Sequence, residues 1–484
     1  MKDITEELEP KNVWKNFYAI NQIPRCSGHE EAVGQYIIDF AEKLGLSWKK
    51  DDVGNIVITK PATAGMEDRP ACVIQGHLDM VCEKNKDTVH DFSKDPIKML
   101  VDDGWVTADG TTLGADNGIA VAMGMAIMEA TNIAHPPMEF LFTVDEETGL
   151  TGANSLKNDF VQGRVLLNID SEEEGALYIG CAGGQHTILR KQIDWVERHD
   201  DHKTFLLKVS GLRGGHSGLN IHEGFGNAIK LLARVLYNLK DAFHYHVASI
   251  EGGSKHNAIP REAEALIDVP ADRVDSLKKI VSDFQTTFKE ELKFVDADVT
   301  VTVEEQPATA RVFATDFRDK LIGVLYVMPH GVMAMSHAVE GLVETSTNMA
   351  IIATKDDVVE MLTSQRSSVA SSIKNIADTV SALGKLGEFQ IEQGGGYPAW
   401  APNPDSALLK VCKEIYAGKY GSEPHVKAIH AGLECGIIGE KYDGMDMISF
   451  GPDIEGAHSP DERIRIESVQ HVWEYLLEIL NNIK

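Results

Sequence analysis

The chain lacks a surplus of positive charge. Its 484 residues carry 46 Lys and Arg against 74 Asp and Glu, a formal net charge of −28. A protein that grips a polyanion needs a basic footprint, so nucleic-acid binding is excluded as a main role, and so is docking on an anionic membrane. The ordinary consequence is a solvated acidic exterior, with a smaller share of the carboxylates left for metal binding. A run of about 18 apolar residues, the length a membrane-spanning helix needs, is also missing. The opening segment Met1-Lys-Asp-Ile-Thr-Glu-Glu7 has no apolar centre and does not read as a secretory signal. Cysteine is scarce and scattered: Cys26, Cys72, Cys82, Cys181, Cys412 and Cys435 form no C-x-x-C pair. In a chain of this size that reads as reduced thiols and a cytoplasmic location.

What is present is an ordinary globular composition, 43% hydrophobic and 25% charged, in a chain too long for one core. Residues 5–45 read as helical, with an apolar stripe at Val33, Tyr36, Ile37, Phe40, Ala41 and Leu44. Strands are expected at 55–59, 71–75, 138–144 and 165–169, with a turn at 112–118 leading into a helix over 119–128. Alternating strands and helices predict an α/β fold with a mostly parallel mixed sheet flanked by helices. Near Gly183-Gly184 the style changes to an α+β pattern. Asn257-Ala-Ile-Pro260 precedes a strand and a helix, and Asn348-Met-Ala-Ile351 precedes another pair (strand 357–362, helix 369–383), an arrangement that suggests an internal duplication. Gly394 to Trp400 reads as a loop through which the chain returns. A strand at 445–450 and an amphipathic helix over 466–483 follow. The expected organisation is a catalytic domain from residues 1–185 and 393–484, interrupted by an inserted α+β lid domain at 186–392.

The chemistry-bearing residues recur at strand ends. In Gln75-Gly-His77-Leu-Asp79 an imidazole and a carboxylate stand two residues apart after an apolar strand. That spacing points both side chains the same way and suits a metal ligand with the carboxylate that orients it. Asp116 lies in the glycine-flanked turn Gly114-Ala-Asp-Asn-Gly118. Glu146 and Glu147 follow the 138–144 strand, Asp170 follows the 165–169 strand, and His458 follows the 445–450 strand. Each has an ordinary explanation when taken alone, such as turn chemistry for Asp116 or a helix start for the glutamate pair. Together, at the carboxyl ends of strands where loops converge, they form a nitrogen and oxygen donor set suited to zinc, cobalt or manganese.

His77-x-Asp79, Gly114-Ala-Asp116-Asn-Gly118, Asp145-Glu-Glu-Thr-Gly149, Asp170 and the late His458 resemble the motifs of the dinuclear zinc peptidase family. That family includes carnosinases, bacterial dipeptidases, tripeptidases and N-acyl-amino-acid deacylases. The resemblance spans essentially the whole chain. Arg213-Gly-Gly-His-Ser-Gly218, Asn257-Ala-Ile-Pro260, Ala431-Gly-Leu-Glu-Cys-Gly436 and the long insertion draw it toward the branch acting on Xaa-His dipeptides, β-Ala-His included.

The resemblance implies two divalent ions, zinc foremost, with Asp116 bridging. His77 and Asp170 would hold one ion, Glu147 and His458 the other. It implies that Asp79 sets the tautomer of His77, that Glu146 is the general base for a metal-activated water, and that Asp116-Asn117 is a cis peptide. It further implies that His216 is an oxyanion donor on the lid and that the chain forms a homodimer through that domain. A peptide carboxylate wants an arginine or backbone N–H donors, so Arg366, Asn257 and Gly432 in the Gly432–Gly436 loop are the substrate-binding candidates. The expected partner is a small peptide. A broad di- or tripeptidase or an N-acyl-amino-acid deacylase is the alternative. A metal-stabilised scaffold without activity is the third reading, but a structural site needs no free base beside Glu147.

Overall fold

The computed structural model describes residues 7–484. The first six, with the start of the helix expected from residue 5, lie outside the described residues. The expected helix over 5–45 is two helices, α1 (Lys11–Ile20) and α2 (Glu31–Lys43). The break between them carries Pro24, which has no N–H to donate, and Gly28 at φ 78°, both helix-stopping features.

The described residues form two compact units, one of residues 7–181, 400–428 and 433–484, the other of 182–399 and 429–432. The first is built on a mixed sheet. Its strands are β1 (Ser47–Lys50), β2 (Ile56–Lys60), β3 (Cys72–His77), β4 (Met138–Thr143), β5 (Val165–Asn168), β6 (Ala176–Cys181), β7 (His425–Ile429) and β8 (Asp446–Ser449), in the order β1-β2-β4-β3-β5-β8-β6-β7. The four central strands β4, β3, β5 and β8 run parallel, while β1, β2 and β6 pair antiparallel with their neighbours. All six residues of β3 and of β4 are buried, as expected where helices cover both faces of a parallel sheet. Alternate residues divide between two cores. Ile56, Ile58, Ile74, Phe140 and Phe142 pack with the first helices, and Val57, Val73, Leu141 and Leu166 pack with Cys435 and Ile438.

The helix α3 (Ala115–Glu129) begins at the Asp116 turn and is buried along almost its whole length, which explains an apolar run with no polar face. Its first turn approaches β3 closely. A Cβ at Gly76 would meet Asn117 Oδ1 at 2.5 Å and Ala120 Cβ at 2.7 Å. The glycine between Gln75 and His77 is thus what lets Asp116 stand beside His77.

The second unit carries a sheet of nine strands. Eight run in the order 300–306, 202–210, 263–270, 246–252, 343–355, 358–367, 183–192 and 390–397, and the ninth, 331–335, pairs with 343–355. Helices 228–242, 274–291, 315–327 and 370–386 belong to the same unit. The two candidate repeats differ. Asn257 lies just before a two-residue bridge strand, whereas Asn348 lies inside the long strand Val343–Lys355, whose partner runs from Val358 to Ser367. Most of the segment 394–400 read as a loop belongs to the strand Gln390–Tyr397.

The reading of six reduced thiols is corrected. Cys26 and Cys82 form a disulfide, with Cα atoms 5.7 Å apart, while Cys72, Cys181, Cys412 and Cys435 are free and buried. The pair joins the loop after α1 to the loop after β3, two segments whose approach no spacing along the sequence reveals.

Candidate metal centre

Three parallel strands deliver side chains to one place. His77 is the last residue of β3 and is 1% exposed. The glutamate pair follows β4 at the start of a single helical turn, Glu146–Gly149, and Asp170 follows β5. His458 comes from the longer loop after β8.

Asp116 stands between the two imidazoles. Its Oδ1 lies 3.2 Å from His77 Nε2, and its Oδ2 lies 3.1 Å from His458 Nε2. Asp170 Oδ1 is 3.5 Å from His77 Nε2, and Glu147 Oε2 is 3.0 Å from His458 Nε2. Two trios result, His77–Asp116–Asp170 and Asp116–Glu147–His458, in each of which one donor atom per residue lies within 4.8 Å of the others. Glu146 belongs to neither trio, although it groups with His77 and Glu147 at the same separation. The peptide bond Asp116-Asn117 is cis, as the resemblance implied.

Asp79 is fully buried and has two tasks. Its Oδ1 lies 3.2 Å from His77 Nδ1. Its two oxygens also accept from the backbone N–H of Glu146 (3.1 Å) and Glu147 (3.2 Å), and Ser27 Oγ donates to Oδ2 at 2.8 Å. One carboxylate thereby orients the ring and pins the glutamate pair. Burial opposes its charge, but the hydrogen bond and charge of His77 prevail and hold its pKa down to about 2.

The centre is electrostatically uneven. Burial, with Asp170, Glu434 and Glu147 nearby, raises the Glu146 carboxyl well above the usual range, against the pull of His77. Burial also pushes Asp170 to about 6 and raises Glu147. Asp116 goes the other way, because His458 and His77 outweigh its desolvation. His458, between Asp116 and Glu147, is raised to about 11. Glu147 Oε1 is buried with no hydrogen-bond partner. Buried carboxylates crowded around two imidazoles, one with an unspent oxygen, fit a pair of divalent cations in charge and donor type.

Three supporting residues escaped the sequence reading. Glu462 is 2% exposed, and its carboxylate accepts from four successive backbone N–H groups: Leu113 (2.7 Å), Gly114 (2.9 Å), Ala115 (2.7 Å) and Asp116 (3.3 Å). Arg25 donates to the carbonyls of Leu78 (3.0 Å), Asp79 (3.1 Å) and Gly114 (2.6 Å), joining the β3 loop to the Asp116 turn. Glu434 accepts from Gln75 Nε2 (2.6 Å) and Thr143 Oγ1 (2.7 Å) beneath the centre. Burial sets its pKa at about 7. Glu462 left a signal in its place four residues after His458, and Glu434 in the segment Ala431–Gly436, which the resemblance singled out without giving the glutamate a role.

The remaining candidates lie in the second unit. His216 sits on a two-residue strand, paired with Ala258–Ile259. Its Nδ1 accepts from the N–H of Gly218 (3.3 Å) and Leu219 (3.1 Å), so a neutral ring carries its proton on Nε2. Burial, then Arg366 and His256, lower its pKa to about 4. Arg366 is 7% exposed, donates to Tyr397 Oη at 2.7 Å and keeps an unpartnered buried Nε. Gly432 lies against the same tyrosine, since a Cβ there would meet Tyr397 Cε2 at 2.7 Å. Asn257 is half-buried, and its carbonyl accepts from Ser217 N at 2.8 Å. Tyr397 and His430, whose Nε2 lies 2.7 Å from Ser346 Oγ, were not foreseen.

Residues 73–482 match the model of Peptidase family M20/M25/M40. A curated relative, the cytosol non-specific dipeptidase of Escherichia coli (strain K12), is 43% identical over 477 residues, covering 99% of this chain and 98% of the relative. The crystal structure of aminoacylhistidine dipeptidase from Vibrio alginolyticus superposes with a TM-score of 0.92 at 42% identity, covering 99% of this chain and 98% of that one. The aminopeptidase PepT from Bacillus cereus ATCC 10987, at 16% identity and a TM-score of 0.57 over 98% of this chain and 99% of its own, shares the fold.

Proposed function

This chain belongs to peptidase family M20/M25/M40, and we propose that it is a two-metal dipeptidase that cleaves Xaa-His dipeptides, carnosine-like β-Ala-His among them. The observation that carries the two-metal part of this reading is the divided carboxylate of Asp116, one oxygen toward His77 and the other toward His458, with Glu146 outside both trios, and the Xaa-His part rests on the likeness to aminoacylhistidine dipeptidase. His77, Asp116 and Asp170 would hold one ion, and Asp116, Glu147 and His458 the other. Zinc is the first choice for this donor set, with cobalt or manganese as alternatives. When bound, two such ions polarise a scissile carbonyl and lower the pKa of a water.

The chain's own residues do the rest. Glu146 takes a proton from the attacking water at its raised carboxylate and returns it to the departing amine nitrogen. Asp79 keeps the Glu146 backbone in register with His77, so the base cannot drift from the ligand. His216, neutral with its proton on Nε2, is an uncharged N–H donor for the developing oxyanion. Arg366, its hydroxyl partner Tyr397 and the Gly432 backbone would hold the substrate carboxylate, with Asn257 beside them. The second unit would serve as lid and as dimer interface.

A cytoplasmic location is proposed from the relative named a cytosol enzyme. No helix among the described residues is long and apolar enough to cross a membrane. The Cys26–Cys82 disulfide runs against a reducing compartment. A second reading, broad dipeptide specificity, is favoured by the name non-specific dipeptidase carried by that same relative. The test is a panel of dipeptides, tripeptides and N-acyl-amino acids with zinc, cobalt or manganese. The proposal expects kcat/KM to be highest for a C-terminal histidine. Equal rates across C-terminal residues support the broad reading, and cleavage of acyl-amino acids alone overturns both.

A further inference from the structure

The second unit holds a cluster of imidazoles that neither the metal centre nor the substrate-side residues use. His199 and His202 flank the pair Asp200-Asp201, and His244 and His246 flank Tyr245 at the start of the strand His246–Gly252. The ring centroids of His199 and His202 are 5.0 Å apart, His199 and His246 5.5 Å, His202 and His246 5.9 Å, and His244 and His246 4.7 Å. Four imidazoles bound through nitrogen to one tetrahedral ion, at Zn–N distances of about 2.0–2.1 Å, have their centroids about 5 Å apart.

One of these rings, His246, is held from behind, and His202 stands beside a buried carboxylate. His202 Nδ1 lies 3.3 Å from Oδ2 of the fully buried Asp268 with no hydrogen bond between them, both atoms being unpartnered, while Asp268 Oδ1 accepts from Thr204 Oγ1 at 2.8 Å. His246 Nδ1 lies 3.3 Å from the Phe313 carbonyl oxygen. A carboxylate or carbonyl on one ring nitrogen is the usual backing of a metal-binding histidine, because it fixes the tautomer that leaves the other nitrogen unprotonated. The Nε2 that this leaves on His246 is buried, in a residue 3% exposed, and has no hydrogen-bond partner. His199 and His244 are the exposed members.

We propose that His199, His202, His244 and His246 form a binding site for one late first-row transition ion of the zinc, nickel or copper class. A donor set of imidazoles alone selects these over magnesium, calcium or manganese. The nitrogens do not converge in the present arrangement, since the groups whose donor atoms lie within 4.8 Å of one another are elsewhere. Binding therefore turns the exposed His199 and His244 rings toward His202 and His246, with His244 giving up the 3.2 Å contact of its Nε2 with Thr315 Oγ1, a rotamer change that exposed side chains make readily. Two cations border the cluster, and each has a carboxylate beside it. Arg198 Nε lies 3.6 Å from Asp268 Oδ1, and Arg318 Nη2 lies 2.8 Å from Asp319 Oδ1.

The test counts zinc by equilibrium dialysis and elemental analysis on the full chain at low-micromolar free zinc. The expected result is one equivalent more in the wild type than in the double variant His199→Ala/His244→Ala, which alters exposed rings only and keeps its peptidase activity. The variant Asp116→Asn, which strikes the other centre, should keep the extra equivalent, so failure of the proposed catalytic site would not be mistaken for failure of this one. A second double variant, His202→Gln/His246→Gln, should lose the same equivalent. Equal zinc counts in wild type and both double variants, or extra zinc bound only at millimolar concentration, overturn the proposal.

Discussion

His458 Nε2 stands 3.1 Å from Asp116 Oδ2, although 342 residues separate the two along the chain. The same loop that brings His458 also brings Glu462, whose carboxylate gathers the backbone N–H groups of residues 113–116. One segment thus supplies a candidate ligand and fixes the residue with which that ligand would share an ion.

That coupling makes Glu462 testable without touching a ligand. Glu462→Gln replaces one acceptor oxygen with an NH2 group facing backbone N–H donors, and Asp116 loses its fixed position. Metal affinity, measured by competition with a chromophoric chelator, should fall about 10–100-fold, the usual cost of losing an orienting partner. Unchanged affinity would show that the Asp116 turn holds itself.

Asp116→Ala removes the one carboxylate common to both trios. Metal content at the centre should drop from two equivalents to one or none, and activity should fall with it. Two retained equivalents would contradict the bridging role.

Acid should weaken metal binding. In the metal-free chain His458 is raised to about 11 by Asp116 and Glu147, so an ion must expel its proton at neutral pH. Binding should release protons and tighten as pH rises. Calorimetry in two buffers of different ionisation enthalpy would detect the release, and identical heats would refute it.

The stability of the metal-free chain should follow its buried acids. Glu434 and Asp170 have folded pKa values raised to about 7 and about 6 by burial. A raised carboxyl costs nothing while both states are protonated. The cost grows as pH climbs from about 4, the ordinary carboxylate value, and is complete above about 7. The raised imidazole of His458 has the opposite sign at low pH. Its contribution is present below about 6.5 and fades only as pH approaches 11. Glu434→Gln should therefore melt higher than wild type at pH 8 and nearly alike at pH 5 in chelator. An equal difference at both values would mean that the fold does not raise the Glu434 pKa above its unfolded value.

Arg366→Ala should raise KM for dipeptides about 10–100-fold with a smaller effect on kcat, because a charged hydrogen bond to the substrate carboxylate is lost. Arg366→Lys should recover only part, since lysine cannot reproduce the forked geometry.

Most of the candidate ligands were legible because they are chemically distinctive side chains at or just past the end of a buried strand or in a glycine-flanked turn, where a short window of sequence carries both signals; His458, in the longer loop after β8, stood out through the family resemblance. Arg25 and Glu434 were not legible, since their importance is made by backbone and side-chain partners from distant segments. The long N-terminal helix was misread because the stripe of α2 was extended back through Gly28 and Pro24, which interrupt it. The Cys26–Cys82 pairing depends on two loops meeting in space, and composition speaks only to thiols in general.

The central claim is that Glu146 moves the proton at a centre held by the other residues. The direct measurement is kcat of Glu146→Gln beside its metal content. The account predicts both equivalents at the dinuclear centre retained and kcat reduced at least about 100-fold, as for loss of a general base. Full activity with both ions bound would contradict it.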